Sequence, residues 1–248
     1  MKRIFSIIGL ITILSISFIM SDRTAIVVKD IDGLLTKLKE ISKNYEQKPE
    51  NAKIKANTII PGKYGKKLNI EKTYKEITKI GSINEKYFIY DEIRPEITSE
   101  KQYNKYIISG NPTNKMISII IIVHENDDIT QISKMIKNTN TKVNFFLDNN
   151  HKGIEDVNKI NKEYCYTERE NETYIKKCAE QKKYTILPTI IIKSNPLLEI
   201  KKQIKNGSII SIKMSNTSQE QLELIINYIK SKGYKIETLQ KLLSEKEI

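Results

Sequence analysis

The second half of the chain alternates between strand and helix patterns of hydrophobic residues. The run MISIIIIV, which begins at Met116, is apolar apart from Ser118, as expected for a strand covered on both faces. Further strand patterns follow at KVNFFL, EYCYT, YTILPTIII, SIISIKM and YKIETL, and helical patterns separate them. Strands that alternate with helices predict right-handed βαβ units and a parallel sheet. Six such units favour an α/β fold with a closed or nearly closed barrel.

The first half of the chain predicts a helix and then a small α+β extension. A single apolar stripe with helical spacing runs through Ile31, Leu34, Leu35, Leu38 and Ile41. After a polar stretch, the turn residues of IPGKYG precede a short helix that Asn69 can cap and Gly81 can end. The segments YFIYDE and NKYIIS then have the pattern of short strands.

The N-terminus predicts export. Lys2 and Arg3 precede an uncharged stretch over residues 4–20, which is about long enough to cross a bilayer. Basic residues before such a stretch predict a cytoplasmic N-terminus and an extracytoplasmic body. The end of the stretch lacks the small residues of a cleavage site, which favours an uncleaved anchor over a secreted form. The expected division is a signal anchor or transmembrane helix at 1–23, the helix plus small α+β extension at 24–111, and the barrel at 112–248.

Composition and charge limit the classes of binding partner that the sequence supports. The chain has 248 residues, a net charge of +12 and no Trp. Its positive charge is mostly Lys spread over the predicted helices, and no segment pairs basic residues with stacking aromatics. These features argue against nucleic acid. A basic surface outside a cell instead favours anionic polymers or lipid headgroups.

The two cysteines, Cys165 and Cys178, leave two possibilities open. In an exported protein they can form a disulfide, although one pair in a chain of this length does not demand it. Their separation of thirteen residues matches no zinc-binding pattern.

Polar residues follow the first two predicted barrel strands, where active sites of such folds collect. His124, Asp127 and Asp128 follow the first strand, and Asp148 and His151 follow the second. Two histidines and a carboxylate there can make a catalytic metal site. The competing interpretation is that Asp127 or Asp128 only caps the next helix.

Other polar and aromatic residues suggest carbohydrate contacts. Lys213 ends a predicted barrel strand, and with Glu168 it can bind an acidic sugar or simply lie in solvent. Four tyrosines can stack on sugar rings or pack in short strands: Tyr87, Tyr90, Tyr103 and Tyr106. No glycine-rich phosphate loop follows a strand, so nucleotide binding has no support.

Two segments resemble a known family. TKVNFFLDN is similar to the "K-A-T-F-F-L" second strand of NodB-homology polysaccharide deacetylases, and NGSIIS with the later LELIINYIKSKGYKIETLQKLL resembles the final units of that family. The resemblance implies a distorted (β/α) barrel that removes acetyl groups from glycans. It also implies a divalent metal held by an Asp and the two His of an H-x-x-x-H motif, with a second Asp as base.

The catalytic positions depart from the family pattern. The first strand ends in Val123, His124 and Glu125 where the family has "T-F-D-D-G", and H-x-x-x-H is absent. No Arg-Pro pair lies near Glu168, and Lys213 replaces the histidine of the penultimate strand. A protonated lysine repels a divalent cation and cannot bind it.

These departures predict a pseudoenzyme of the cell envelope that binds glycan or acts as a scaffold and needs no cofactor. The expected partners are cell-wall glycan or an anionic envelope polymer, and the membrane through the N-terminal helix. The alternative is a divergent carbohydrate deacetylase that uses zinc or another divalent metal, with His124, Asp128 and His151 at its centre.

Overall fold

The computed structural model describes residues 33–123, 133–134, 136–137, 139–147, 163–192, 195–213 and 219–246. In chain order the strands are β1 (Lys53–Lys55), β2 (Thr58–Ile60), β3 (Gly65–Leu68), β4 (Tyr90–Ile93), β5 (Tyr106–Ile107), β6 (Met116–Val123), β7 (Asn144–Leu147), β8 (Tyr164–Tyr166), β9 (Tyr184–Ile186), β10 (Ile190–Ile191), β11 (Ile209–Lys213) and β12 (Lys235–Ile236). The helices are α1 (Gly33–Ser42), α2 (Ile70–Thr78), α3 (Glu172–Glu180), α4 (Pro196–Gln203), α5 (Gln219–Ser231) and α6 (Leu239–Leu243). Short 3-10 helices cover Lys43–Tyr45 and Glu85–Tyr87.

The chain divides into two compact units, and the division differs from the predicted boundary at residue 111. The first unit contains the residues up to Lys48 together with Gly65–Ile93. The second unit contains Pro49–Tyr64 and the residues from Arg94 onward. Part of the predicted extension therefore belongs to the second unit. The reason is strand pairing, because β2 and β5 join β9 in one sheet.

The first unit packs α1 and α2 with the antiparallel pair β3 and β4. Its core contains Leu38, Leu68, Ile77 and Phe88. Helix α2 begins as the sequence predicts, since the Asn69 side chain accepts a hydrogen bond from the backbone N–H of Lys72 at 2.9 Å.

The second unit contains two five-stranded sheets. One has the order β1-β2-β5-β9-β8, in which only β1 is antiparallel to its neighbour. The other has the order β10-β11-β6-β12, with β7 also paired to β6, and all of its pairs are parallel. The prediction of parallel βαβ units is confirmed. Within the described residues the hydrogen-bonded strands form these two sheets and not one closed ring.

Strand β6 lies at the centre of the second sheet. Residues 118–122 pair with β11 on one edge. On the other edge β12 pairs with the first two residues of β6 and β7 pairs with the last four. All these strands point the same way, so Val123, Leu147 and Lys213 end at the same side of the sheet.

Residues of β6 and β11 alternate between two buried layers. Ile210 and Ile212 of β11 join the cluster formed with α4 and α5, which contains Ile200 and Leu222. The opposite face of the sheet contributes Ile120, Ile122 and Ile209 to a second cluster, which also holds Ile59, Ile107 and Ile186 of the first sheet. This second core therefore lies between the two sheets. By the same alternation, Ser211 and Lys213 are on its side of β11.

One predicted strand is divided in the structure. The segment YTILPTIII was expected to form a single strand, but β9 ends at Ile186 and β10 begins at Ile190 in the other sheet. Pro188 lies between them, and a proline has no backbone N–H to donate to a strand ladder. The chain therefore crosses from one sheet to the other at this point.

The predicted membrane helix at residues 1–23 lies outside the described residues. Among the residues that are described, no helix is both long enough and apolar enough to cross a bilayer.

Candidate functional site

An ion pair lies at the C-terminal ends of the strands of the second unit. The Nζ atom of Lys213, the last residue of β11, is 2.7 Å from Oε1 of Glu168, which follows β8. About a third of each side chain is exposed, so the pair is accessible to solvent. It links the end of β11 to the segment that follows β8, a strand of the other sheet. Among the described residues at these strand ends, an ammonium and a carboxylate therefore lie side by side.

Two hydroxyl groups extend this pair into the interior. The Tyr166 hydroxyl lies 2.7 Å from Oγ of Ser211, and it also donates to Oε1 of Glu168 at 3.3 Å. Ser211 is 1% exposed, and the ring of Tyr166 packs on Phe146 with 5.6 Å between ring centroids. The four polar residues form one connected group: Tyr166, Glu168, Ser211 and Lys213. We call it the β8–β11 polar group.

A disulfide holds β8 in place beside this group. Cys165 of β8 and Cys178 of α3 are bonded, with their Cα atoms 6.3 Å apart. The sequence left this pairing open. Because Tyr166 directly follows Cys165, the bond restrains the strand that carries the β8–β11 polar group.

The remaining predicted site residues lie outside the described residues. These are His124, Asp127 and Asp128 after β6, and Asp148 and His151 after β7. Their grouping into a metal site stays a prediction. Within the part of the chain that the structure does describe, no three His, Cys, Asp or Glu side chains are arranged to hold a metal ion.

The described end of β11 does not fit the divalent metal that the family resemblance implies. A metal ligand needs a free lone pair, and the ammonium of Lys213 has none. The nearest carboxylate, Glu168, is engaged by that ammonium and by the Tyr166 hydroxyl. The hydroxyl of Ser211 has a phenol as its neighbour and not an imidazole base. The β8–β11 polar group is suited to hydrogen bonding with a polar ligand.

The tyrosines proposed to stack on sugars occupy different environments. Tyr106 is buried, and its hydroxyl accepts a hydrogen bond from the Asn171 N–H at 2.7 Å, so it cannot serve as a platform. Tyr103 packs against Tyr184 with 4.7 Å between ring centroids. In the first unit Tyr87 is exposed, and the Lys66 ammonium lies 5.2 Å from the ring centroid of Tyr90.

Sequence reasoning did not identify Tyr166 and Ser211. The signal for Ser211 was available, because it lies two residues before Lys213 in a strand and must share its face. Tyr166 could not be found in the same way. Its contact with Ser211 depends on the distance between two sheets, which no local pattern reports.

A family model described as "Putative peptidoglycan binding domain" matches residues 18–84. The described residues in that span belong mostly to the first unit, with Pro49–Tyr64 in the second. The match covers about a quarter of the chain.

Similar proteins cover most of the chain. The uncharacterized protein YlxY of Bacillus subtilis is 25% identical over 91% of this chain and 88% of its own length. The structure of BA3943 from Bacillus anthracis, described as a CE4 family pseudoenzyme, is 21% identical with a TM-score of 0.64, covering 88% of this chain and 97% of that one. A BA3943 mutant with restored enzymatic activity is similar at 20% identity and a TM-score of 0.64, covering 88% of this chain and all of the other.

These likenesses show the fold. The chain has the α/β fold of the CE4 structures, a NodB-type polysaccharide deacetylase family that includes this pseudoenzyme, and the prediction of a divergent NodB-type fold is confirmed.

Proposed function

We propose that this chain is an exported cell-envelope protein with a NodB-type deacetylase fold that binds cell-wall glycan and does not deacetylate it. The observation that carries the proposal is the Lys213–Glu168 ion pair at the C-terminal ends of the strands. The fold's similarity to a described pseudoenzyme and the partial match to a peptidoglycan-binding family support it.

The lack of catalysis follows from charge. Lys213 stands where the family resemblance expects a histidine, and its ammonium would repel a divalent cation bound beside it. Pairing of the Lys213 ammonium with Glu168 reduces this repulsion. It also engages a carboxylate that could otherwise bind a metal ion. We therefore expect the site to lack the divalent metal that deacetylation by this family requires.

Glycan binding follows from the chemistry of the β8–β11 polar group. The Lys213 ammonium donates hydrogen bonds and the Glu168 carboxylate accepts them, and both are partly exposed. Sugar hydroxyl and acetamido groups need donors and acceptors close together. The half-buried Tyr166–Ser211 contact fixes the inner end of the group, so less side-chain entropy is lost when a ligand binds.

Export and membrane anchoring belong to the same proposal. The uncharged stretch over residues 4–20 supports an N-terminal anchor with the body outside the cytoplasm. The Cys165–Cys178 disulfide supports this location, because such bonds persist in oxidising compartments.

The test uses the full chain in a non-ionic detergent, since residues 4–20 are apolar. The protein is incubated with zinc or cobalt and an acetylated chito-oligosaccharide, and bound metal and released acetate are measured. We expect no stoichiometric metal and no acetate. Stoichiometric metal together with turnover that the His124→Ala variant loses would establish the deacetylase alternative and overturn the proposal.

Binding is measured separately, by sedimentation with purified peptidoglycan at about 0.15 M and about 1 M salt. We expect binding that survives the higher salt, because hydrogen bonds to sugars are less screened than attraction between charges. Binding that disappears at high salt would reduce the interaction to general cationic attraction.

A further inference from the structure

A cavity lies at the opposite end of the strands from the β8–β11 polar group. It has a volume of about 550 Å³ and is bordered by the first residues of β6 and β12 and by the segment that follows α6. This volume falls within the range of about 300–1,000 Å³ that is common for small-ligand sites. Strand β6 separates the two ends by roughly 23 Å, at about 3.3 Å per residue.

Lysines dominate the wall of this cavity. Five line it, and we call them the lysine cavity residues: Lys63, Lys115, Lys235, Lys241 and Lys246. Lysine side chains are cationic at neutral pH. Five positive charges around one concave surface raise the local concentration of anions, because the low dielectric of the walls focuses the field.

The two glutamates in the wall offset part of this charge and leave an excess of three positive side chains. Glu245 uses one carboxylate oxygen to accept hydrogen bonds from the backbone N–H groups of Gly62 at 2.7 Å and Ser99 at 2.8 Å. Glu237 is paired with Lys142 at 2.9 Å and with Lys241 at 3.3 Å. Among the described residues, Lys115 and Lys235 have no carboxylate partner.

The fold holds several of these lysines around the opening. The backbone N–H of Lys235 donates to the carbonyl of Lys115 at 3.0 Å, so the first residue of β12 is hydrogen-bonded to the residue that precedes β6. The ammonium of Lys115 lies 5.4 Å from the ring centroid of Tyr234, and that of Lys246 lies 5.1 Å from the ring centroid of Tyr64. Contacts of this kind lower the entropy that the side chains lose when an anion binds.

Space next to the lysines can accept an uncharged part of a ligand. A smaller cavity of about 240 Å³ shares Ser244 with the lysine cavity and is lined by Tyr164 and Tyr184. Burial raises the pKa of the Tyr164 hydroxyl, so this ring stays neutral at physiological pH. An aromatic wall beside a cationic one fits a ligand that alternates sugar or polyol units with phosphate.

We propose that the lysine cavity binds the phosphate groups of a sugar-phosphate or polyol-phosphate chain. A phosphate headgroup of a lipid offers the same charge. The cavity favours the soluble chain, because a flat bilayer cannot enter a concave site. This site is separate from the β8–β11 polar group, so its existence does not depend on glycan binding there.

The test measures binding of an oligo(glycerol phosphate) to the full chain in non-ionic detergent by calorimetry, at about 0.15 M ionic strength. The Lys115→Gln/Lys235→Gln double variant removes the two lysines without a carboxylate partner. We expect it to weaken binding at least tenfold. The matched control is Lys176→Gln/Lys177→Gln on α3, which makes the same change in net charge at exposed positions away from the cavity and should change affinity less than twofold.

The other outcomes decide against the proposal. Equal weakening by both double variants would show attraction by net charge alone. Absence of oligomer binding by the wild-type chain would show that the cavity is not a phosphate-chain site. Binding only to micelles that contain phosphatidylglycerol, with the soluble oligomer excluded, would assign the cavity to lipid headgroups instead. The circular dichroism spectrum of each variant must match that of the wild type, and Lys115→Gln alone replaces the double variant if it does not.

Discussion

The ammonium of Lys213 and the carboxylate of Glu168 meet at 2.7 Å, although Lys213 ends β11 in one sheet and Glu168 follows β8 of the other. This contact places a charge pair at the strand end where the family resemblance expects a histidine. The ion pair is exposed enough to contact a ligand. The hydrogen bonds of Tyr166 with Glu168 and Ser211 restrain its geometry.

The first prediction concerns this pair. Lys213→Met removes a partly exposed ion pair, so the free energy of unfolding should fall by no more than about 1 kcal/mol. Binding to purified peptidoglycan should weaken much more, since the donor to the sugar is lost. The control is Lys142→Met, which removes the ammonium that pairs with Glu237 and should leave glycan binding unchanged. Unaltered binding by Lys213→Met would place the glycan site elsewhere.

The second prediction concerns the buried contact between Tyr166 and Ser211. Tyr166→Phe leaves the Ser211 hydroxyl buried without this partner, which should lower the free energy of unfolding by about 1–3 kcal/mol. Adding Ser211→Ala should recover most of the loss, because the unsatisfied group is then gone. Urea denaturation of the wild type, both single variants and the double variant measures this coupling. Strictly additive losses would contradict a direct hydrogen bond.

The third prediction concerns the disulfide. The bond closes a loop with a sequence separation of 13, and a loop of this size is associated with about 3 kcal/mol of stabilisation. Reduction should therefore lower the denaturation midpoint of the wild-type chain. The Cys165→Ala/Cys178→Ala variant should start at the lower midpoint and show no response to reductant. A wild-type midpoint that reductant leaves unchanged would mean that the thiols are not bonded in solution.

The fourth prediction concerns pH and Glu237. Burial alone would raise the pKa of this carboxyl, but hydrogen bonds from Lys142 and Lys241, together with their charges, outweigh burial and lower the pKa below its ordinary value of 4.5. A lowered pKa means that the folded state binds the proton less tightly than the unfolded state. The stabilisation is complete above about pH 4.5 and is lost as the pH falls through the lower folded value.

Glu237→Gln should remove this part of the acid response. The denaturation midpoint is measured at neutral pH and again below pH 4.5. The decrease between the two should be smaller for the variant than for the wild type. Exposed Glu172, at the start of α3, supplies the control: Glu172→Gln should leave the wild-type acid response in place. If the denaturation midpoints of Glu237→Gln and the wild type decrease equally with falling pH, the pairing of Glu237 with the two lysines does not contribute to acid sensitivity.

The elements that the sequence predicted well are those set by contacts between near neighbours. The apolar run from Met116 matches β6 residue for residue, because a strand buried on both faces needs no polar alternation. Helix α4 begins after Asn195 with Pro196 in its first turn, as predicted, since the cap accepts from Leu198 only three residues away. The parallel pairing of the later strands follows from their alternation with helices.

Tertiary structure alone decided the unit boundary, the division at Pro188 and the β8–β11 polar group. Strands β2 and β5 join β9 because of sheet order, which depends on packing between segments far apart in the chain. The contact of Lys213 with Glu168, and the gathering of five lysines around one cavity, arise in the same way. A linear pattern specifies which face a side chain occupies. Which side chain lies opposite is determined only when the sheets pack together.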